Sequence, residues 1–394
     1  MTRRKRPRAG VVGLAAVAIA ATAFTGPARA AARDTAPMTA DHQATRAAID
    51  AAVKAGVPGI TAEVRDADGT WKYAAGVGDT KTGAPRGEND RFRISSNTDT
   101  FVATVLLQME AEKKLSLDDT VEHYLPGVVT GNGNDGSAIT VRQLLNHTSG
   151  LYDYLGDKQY VDTYVQGDGF LQHRYDTVTP GQRLKAAFSH APMFKPGTEH
   201  WFSHTNDVLA AMIVEKVGGR SYEDEVRRRI IEPLGLKATS SPGTSTGLPR
   251  PSSRAYGKLF GGQPDRIDDV TEVNGSQNWG DGDIISSADD LNRFYGALLR
   301  GNLLPPQQLA EMKTTVDDPA FPGATYGLDI GQLTLGCGTT LWYRDGGMIG
   351  WITLTAATED GRHILTFNYN SDWGAETMIS VLNAEYCDTS AVAH

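Results

Sequence analysis

The spacing of apolar residues sorts the chain into three stretches. From Gln43 to Lys54 the apolar positions recur at helical spacing, and Gly56-Val57-Pro58-Gly59 ends the run. Ile60 to Arg65 and Trp71 to Val77 alternate as two strands, joined by a turn over Asp66 to Gly69. Phe101 to Lys113 places Val102, Val105, Leu106 and Met109 on one helical face. Residues 115–320 then read as helices and long loops. Helices are predicted over Val208 to Val217, Tyr222 to Ile231 and Ser287 to Leu299, with a Gly/Asn loop over Gly131 to Gly136. Ser287-Ala-Asp-Asp opens the last of these helices as a cap with acids in the first turn. Beyond residue 338 the β pattern returns, at Thr339 to Tyr343, Trp351 to Thr358 and His363 to Tyr369, before a closing helix over Ala375 to Tyr386. Strands at both ends with helices between predict an α+β fold. One antiparallel sheet, built from both chain ends and flanked by helices, would carry a mostly helical inserted region.

The first thirty residues stand apart. A basic cluster (Arg3, Arg4, Lys5, Arg6, Arg8) precedes an apolar run from Val11 to Phe24 and the small-residue site Ala28-Arg29-Ala30. That is the pattern of a secretory signal peptide, and the run is too short for a comfortable membrane span. Residues 31–42 read as a flexible N-terminus and 43–390 as the folded domain. The whole chain carries a net charge of −9. Six of its 38 basic residues and none of its 47 acidic ones precede Ala31, so cleavage would leave −15. Such a chain has no electrostatic reason to bind nucleic acid or an anionic membrane. A secreted, extracellular monomer acting on a small molecule or short peptide is expected. In an oxidising compartment the only two cysteines, Cys337 and Cys387, are expected to pair.

Several segments, in order, resemble the penicillin-recognising serine hydrolases: the D-alanyl-D-alanine carboxypeptidases and class C β-lactamases. They are Arg91-Phe-Arg-Ile-Ser-Ser-Asn-Thr-Asp-Thr-Phe101, Leu115 to Val121 with Tyr124-Leu-Pro-Gly127, and Ile139 to Leu151. Pro196-Gly197, Phe202-Ser-His-Thr-Asn206, Pro233 to Leu236, Trp279 and Arg344-Asp-Gly-Gly347 follow. The resemblance runs from about residue 43 to 388 and implies the same fold. In such enzymes a disulfide also falls where the two cysteines lie.

The family's chemistry uses a Ser-x-x-Lys at a helix start, a Tyr-x-Asn or Ser-x-Asn loop, and a Lys-Thr-Gly or His-Thr-Gly strand. Here the three elements read Ser96-Asn97-Thr98-Asp99, Phe202-Ser203-His204 and Asp345-Gly346-Gly347. The serine remains, while the lysine, the tyrosine hydroxyl and the strand cation are gone. A carboxylate with an ordinary pKa of about 3.9 is a poor base for an alcohol. Ordinary carboxypeptidase and β-lactamase turnover should therefore be very low.

Three readings of function follow. In the first, Asp99, His204 and Asp345 converge with Ser96 and supply acid/base groups for a small, partly apolar molecule. Phe202, Trp279, Tyr152 and Trp201 would line the cleft with Gly346 and Gly347. In the second, Ser96 remains the nucleophile of a residual D-Ala-D-Ala carboxypeptidase, esterase or β-lactamase. In the third, the protein only binds cell-wall peptides or β-lactams. No cofactor is implied; two carboxylates and an imidazole are a ligand set that permits a divalent ion, but the family uses none. Bland readings stay open too. Ser96 to Asp99 also fits a helix-capping box, Phe202 a core aromatic, and Asp345 a turn residue.

Overall fold

The computed structural model describes residues 42–319 and 323–387, so the stretch read as an export signal lies outside the described residues. Helix α1 (Gln43–Lys54) buries Thr45, Ile49 and Ala52, one face at helical spacing. Strands β1 (Gly59–Asp66) and β2 (Gly69–Asp79) form the expected hairpin, in which Asp66 Oδ1 accepts the amides of Asp68 and Gly69. A short β3 (Ala84–Pro85) completes the N-terminal part of the sheet. The other strands all follow residue 315. They are β4 (Val316–Asp317), β5 (Ala324–Tyr326), β6 (Gly331–Thr334), β7 (Thr340–Met348), β8 (Trp351–Ala357) and β9 (Ile364–Tyr369).

The sheet order is β4-β5-β6-β7-β8-β9-β1-β2-β3, and every pairing is antiparallel. The two chain ends meet where β1 pairs with β9. One face of the sheet buries Ile49, Ala52, Met378, Val381 and Leu382 from the two terminal helices. The other face packs on the helical region, including the helix over Ala288–Leu299. The α+β expectation is met: a mixed helix and antiparallel-sheet fold.

Two boundaries differ from the sequence pattern. The helix expected from Phe101 begins at Asn97, because residues 97–107 are all buried and its polar first turn faces other protein rather than water. Strand β7 was expected to stop at Tyr343, with a turn at Asp345-Gly-Gly. It continues to Met348. Gly346 explains this extension, since a Cβ there would meet Ser95 Cβ and the Ser96 amide at 2.8 Å. The glycine lets the strand lie against the start of the next helix, so it serves close approach rather than a turn.

Cys337 and Cys387 are bonded, as expected, across 50 residues of sequence. The bond ties the β6–β7 connection to the end of the last helix. Replacing both cysteines by serine should cost about 2–4 kcal/mol, through the freedom returned to the unfolded chain. Urea unfolding of the double variant measures it.

Candidate active site

Ser96 caps helix α2 (Asn97–Ala111). The chain reaches it from a two-residue strand at Phe92–Arg93 through Ser95, a non-glycine residue held at φ +52°. Asn97 pins the turn by donating to the Ile94 carbonyl, and its own Oδ1 accepts the Tyr295 hydroxyl. The Ser96 carbonyl accepts from Arg344 Nε at 3.0 Å, while Arg344 Nη2 donates to Asp99 Oδ2 at 2.5 Å. Both side chains of this ion pair are buried.

Arg344, not Asp345, is therefore the third motif's residue at the helix start. The motif is read correctly one position earlier, as cation-x-Gly, Arg344-Asp345-Gly346. Successive strand residues face opposite sides. Trp342, Arg344, Gly346 and Met348 face the helical region, whereas Leu341 and Tyr343 belong to the core beneath the terminal helices. Asp345 lies on that second side, which corrects its expected place in the cleft.

Around Arg344 lies a buried acidic group. Asp207 and Asp329 join Asp99, and four of the six carboxylate oxygens have no hydrogen-bond partner: Asp99 Oδ1, both of Asp207 and Asp329 Oδ2. Burial raises the pKa of all three. Arg344 opposes the rise at each, and the acids reinforce it at Asp99 and Asp207; Asp329 is pushed up to about 7.

His147 Nε2 sits 3.1 Å from Asp329 Oδ1 and 3.7 Å from Asp207 Oδ1. One ligand atom from each of these three residues lies within 4.8 Å of the others, a spacing that would suit a metal ion. The imidazole's other nitrogen decides against it. His147 Nδ1 accepts the Ser203 backbone amide at 3.2 Å, so the proton must sit on Nε2. A protonated Nε2 donates to Asp329 and cannot ligate. Burial, then Arg344, hold this histidine's pKa well below its usual value.

His204 opens the helix α3 (His204–Gly218) and lies elsewhere. Its Nδ1 is 3.0 Å from Asp153 Oδ2. A carboxylate accepts only, so Nδ1 carries the proton and Nε2 is left for the cleft. Burial alone would lower the His204 pKa, but the charge and hydrogen bond of Asp153, helped by Asp281, raise it overall. Phe202 separates the two histidines. Its ring stacks on His147 at 4.2 Å and meets His204 edge-on at 4.9 Å. Arg344 lies over the same ring at 5.1 Å. Among the described residues no hydrogen bond or ion pair joins His204 to Asp99 or Asp345. The expected convergence of the three thus resolves into a sealed cluster, a separate dyad and a residue on the far face.

A cleft of about 570 Å³, open on one side, is lined by His204, Ser95, Gly347 and Asp281. Its apolar wall is Tyr160, Tyr164, Phe170 and Met348. Tyr154 also lines it and donates to Asp281 Oδ2 at 2.6 Å; the other oxygen of Asp281 takes Arg183 at 3.0 Å. Three expected wall residues lie elsewhere. Trp279 turns its indole N–H to Glu223 and packs on Tyr222. Trp201 is 49% exposed on the surface. Tyr152 stacks on His190 and donates to the Gly156 carbonyl. Asp153, Tyr154 and Asp281 were not picked out from the sequence. The one available signal was the Tyr-Asp-Tyr run directly after the Ile139–Leu151 segment.

The fold and this site define a member of the penicillin-recognising hydrolases. The model of the family described as Beta-lactamase matches residues 22–379, and the chain belongs to that family. A D-stereospecific amidohydrolase from Streptomyces sp. is 48% identical with a TM-score of 0.83, over 88% of this chain and 99% of that one. A D-amino acid amidase from Ochrobactrum anthropi SV3, solved with L-phenylalanine amide, is 26% identical with a TM-score of 0.75, over 88% and 98%. Esterase EstB of Burkholderia gladioli is 33% identical over 172 residues, 42% of each chain. The chain spans about half the length of the curated relatives it matches. These named relatives are hydrolases, in keeping with an enzyme of the β-lactamase fold.

Two stability results should follow. In the raised-pKa acids the folded state holds protons that the unfolded state has already released. Stability from this cluster is full below about pH 4, the unfolded carboxylate range, and falls as pH rises through the folded values near 7 and above. Asp207→Asn removes one such acid, so it should raise the melting temperature clearly at pH 8 and little at pH 5. Arg344→Ala leaves Asp99 buried without its cation and should cost about 3–5 kcal/mol in denaturant unfolding at pH 8.

Proposed function

We propose that this chain hydrolyses an amide or ester bond in a small, partly apolar molecule. His204, oriented by Asp153, is the general acid/base, and Ser96 is the acyl acceptor. The observation that carries the reading is the 3.0 Å His204–Asp153 pair on the wall of the cleft. An imidazole held by a carboxylate at one nitrogen, with the other free, is the arrangement that activates a serine hydroxyl. His204 Nε2 would take the Ser96 proton as the oxygen attacks the carbonyl carbon. It would return that proton to the departing amine or alcohol as the carbon–nitrogen or carbon–oxygen bond breaks. Water, deprotonated by the same nitrogen, would then release the acid and restore Ser96. Asp99 has no part in this route, because Arg344 holds it. The amidohydrolase, amidase and esterase among the relatives support the choice of bond. We read the enzyme as exported, on the strength of its first thirty residues.

A residual lysine-type mechanism at Ser96 is less well supported. No described side chain is hydrogen-bonded to the Ser96 hydroxyl, and the group one helical turn away is an acid sequestered in an ion pair.

With phenylalanine p-nitroanilide or an aryl ester as substrate, His204→Ala should lower kcat/KM by about 10²–10⁴. The rate should rise with pH through a value above the ordinary histidine pKa of about 6.5. Asp153→Asn should move that rise to lower pH by removing the charge that holds the proton. Full activity in His204→Ala would end this reading. Loss in His204→Ala with full retention in Ser96→Ala would keep the base and make water the nucleophile.

A further inference from the structure

We infer that the cleft selects ligands that lack a carboxylate: uncharged or cationic acyl compounds carrying an aromatic or large apolar group. This deepens the proposed function and rests on the same cleft being the substrate site.

The argument begins with where the positive charges are. No Lys or Arg is among the described residues lining the cleft. The two arginines nearest to it are both spent. Arg183 is fully buried, with one donor on Asp281 and another on the Trp279 carbonyl. Arg344 is 4% exposed and holds Asp99 and the Ser96 carbonyl from beneath the helix start. A bound carboxylate would need a charge-assisted donor in this partly dry space, and leaving it unmatched is costly.

The negative charges point the same way. Asp281 is balanced by Arg183 and fastened by Tyr154. Asp153 is balanced by His204 only while that histidine is protonated. When His204 is neutral and able to act as a base, the wall carries one uncompensated negative charge. An anionic ligand meets repulsion in the very protonation state that catalysis needs, whereas an ammonium group is tolerated.

Shape and polarity supply the other half. Tyr154, Tyr160 and Tyr164 form a continuous aromatic run with ring centroids 5.0 and 5.1 Å apart, and Phe170 lies in the same wall. This surface suits a ring or a bulky alkyl group through stacking and burial. Asn278, half-buried and lining the cleft, is the natural place to add a cation without disturbing the core.

Isothermal titration on the wild-type protein at pH 7.5 tests the inference without relying on turnover. The probes share one ring: phenylalaninamide, N-acetylphenylalaninamide and N-acetylphenylalanine, each as both enantiomers. The two amides should bind, and the carboxylate should bind at least tenfold more weakly. Asn278→Lys should narrow or reverse that gap by strengthening carboxylate binding. Equal or tighter binding of N-acetylphenylalanine by the wild type would overturn the inference, as would no binding of any probe. If Asn278→Lys does not fold, the wild-type comparison alone decides. Amide binding with no hydrolysis would leave this selectivity standing and remove the proposed reaction instead.

Discussion

A guanidinium with almost no access to water must be matched by acids and acceptors, and the site is built around meeting that need. Arg344 reaches across from the long β7 strand to the first turn of α2, where it takes one oxygen of Asp99 and the Ser96 carbonyl. The pair fixes the height of the helix start against the sheet, and Gly346 on the same strand face lets the backbones close on each other. Buried pairs of this kind contribute little net stability compared with apolar packing, yet breaking one is costly. The position that a lysine base occupies in ordinary relatives is thereby filled by an acid that cannot leave its partner. Charge has been exchanged across the cleft floor: the acid now lies on the helix and the cation on the strand.

The remaining acids follow from that exchange. One cation faces Asp99, Asp207 and Asp329, while His147 is kept neutral and turned by the Ser203 amide so that it donates. The excess negative charge is too deep to be hydrated, so the carboxyl groups keep protons well above their usual range. The protein thus contains two titrating networks on either side of one aromatic residue. The buried one is tied to stability, and the His204–Asp153 pair is open to the cleft.

The sequence made the architecture plain because hydrophobic period and turn chemistry were in agreement. The Asp66–Gly69 hairpin, the Gln43–Lys54 helix and the Cys337–Cys387 pairing needed no tertiary information. The site was legible only in part. Ser96, Asp99, Phe202 and His204 were singled out correctly as unusual, but their partners were not. Asp207 and Asp329 lie 122 residues apart and meet only through the packing of α3 against the turn before β6. Arg344 was hidden by register: taking Asp-Gly-Gly as the motif placed an acid where strand alternation puts a cation. The three displaced wall residues were chosen for being aromatic and near a motif in sequence. Proximity in sequence says little about which way a ring points in a loop-rich region.

Phe202 has a further consequence. A benzene ring conducts no protons, and here it stands as an insulator between two reservoirs that feel each other's charge across a short gap. A single oxygen atom at the ring's para position would offer both a donor and an acceptor in that gap. Lacking that atom, the enzyme keeps the proton inventory of its foundation from leaking into the chemistry of its cleft.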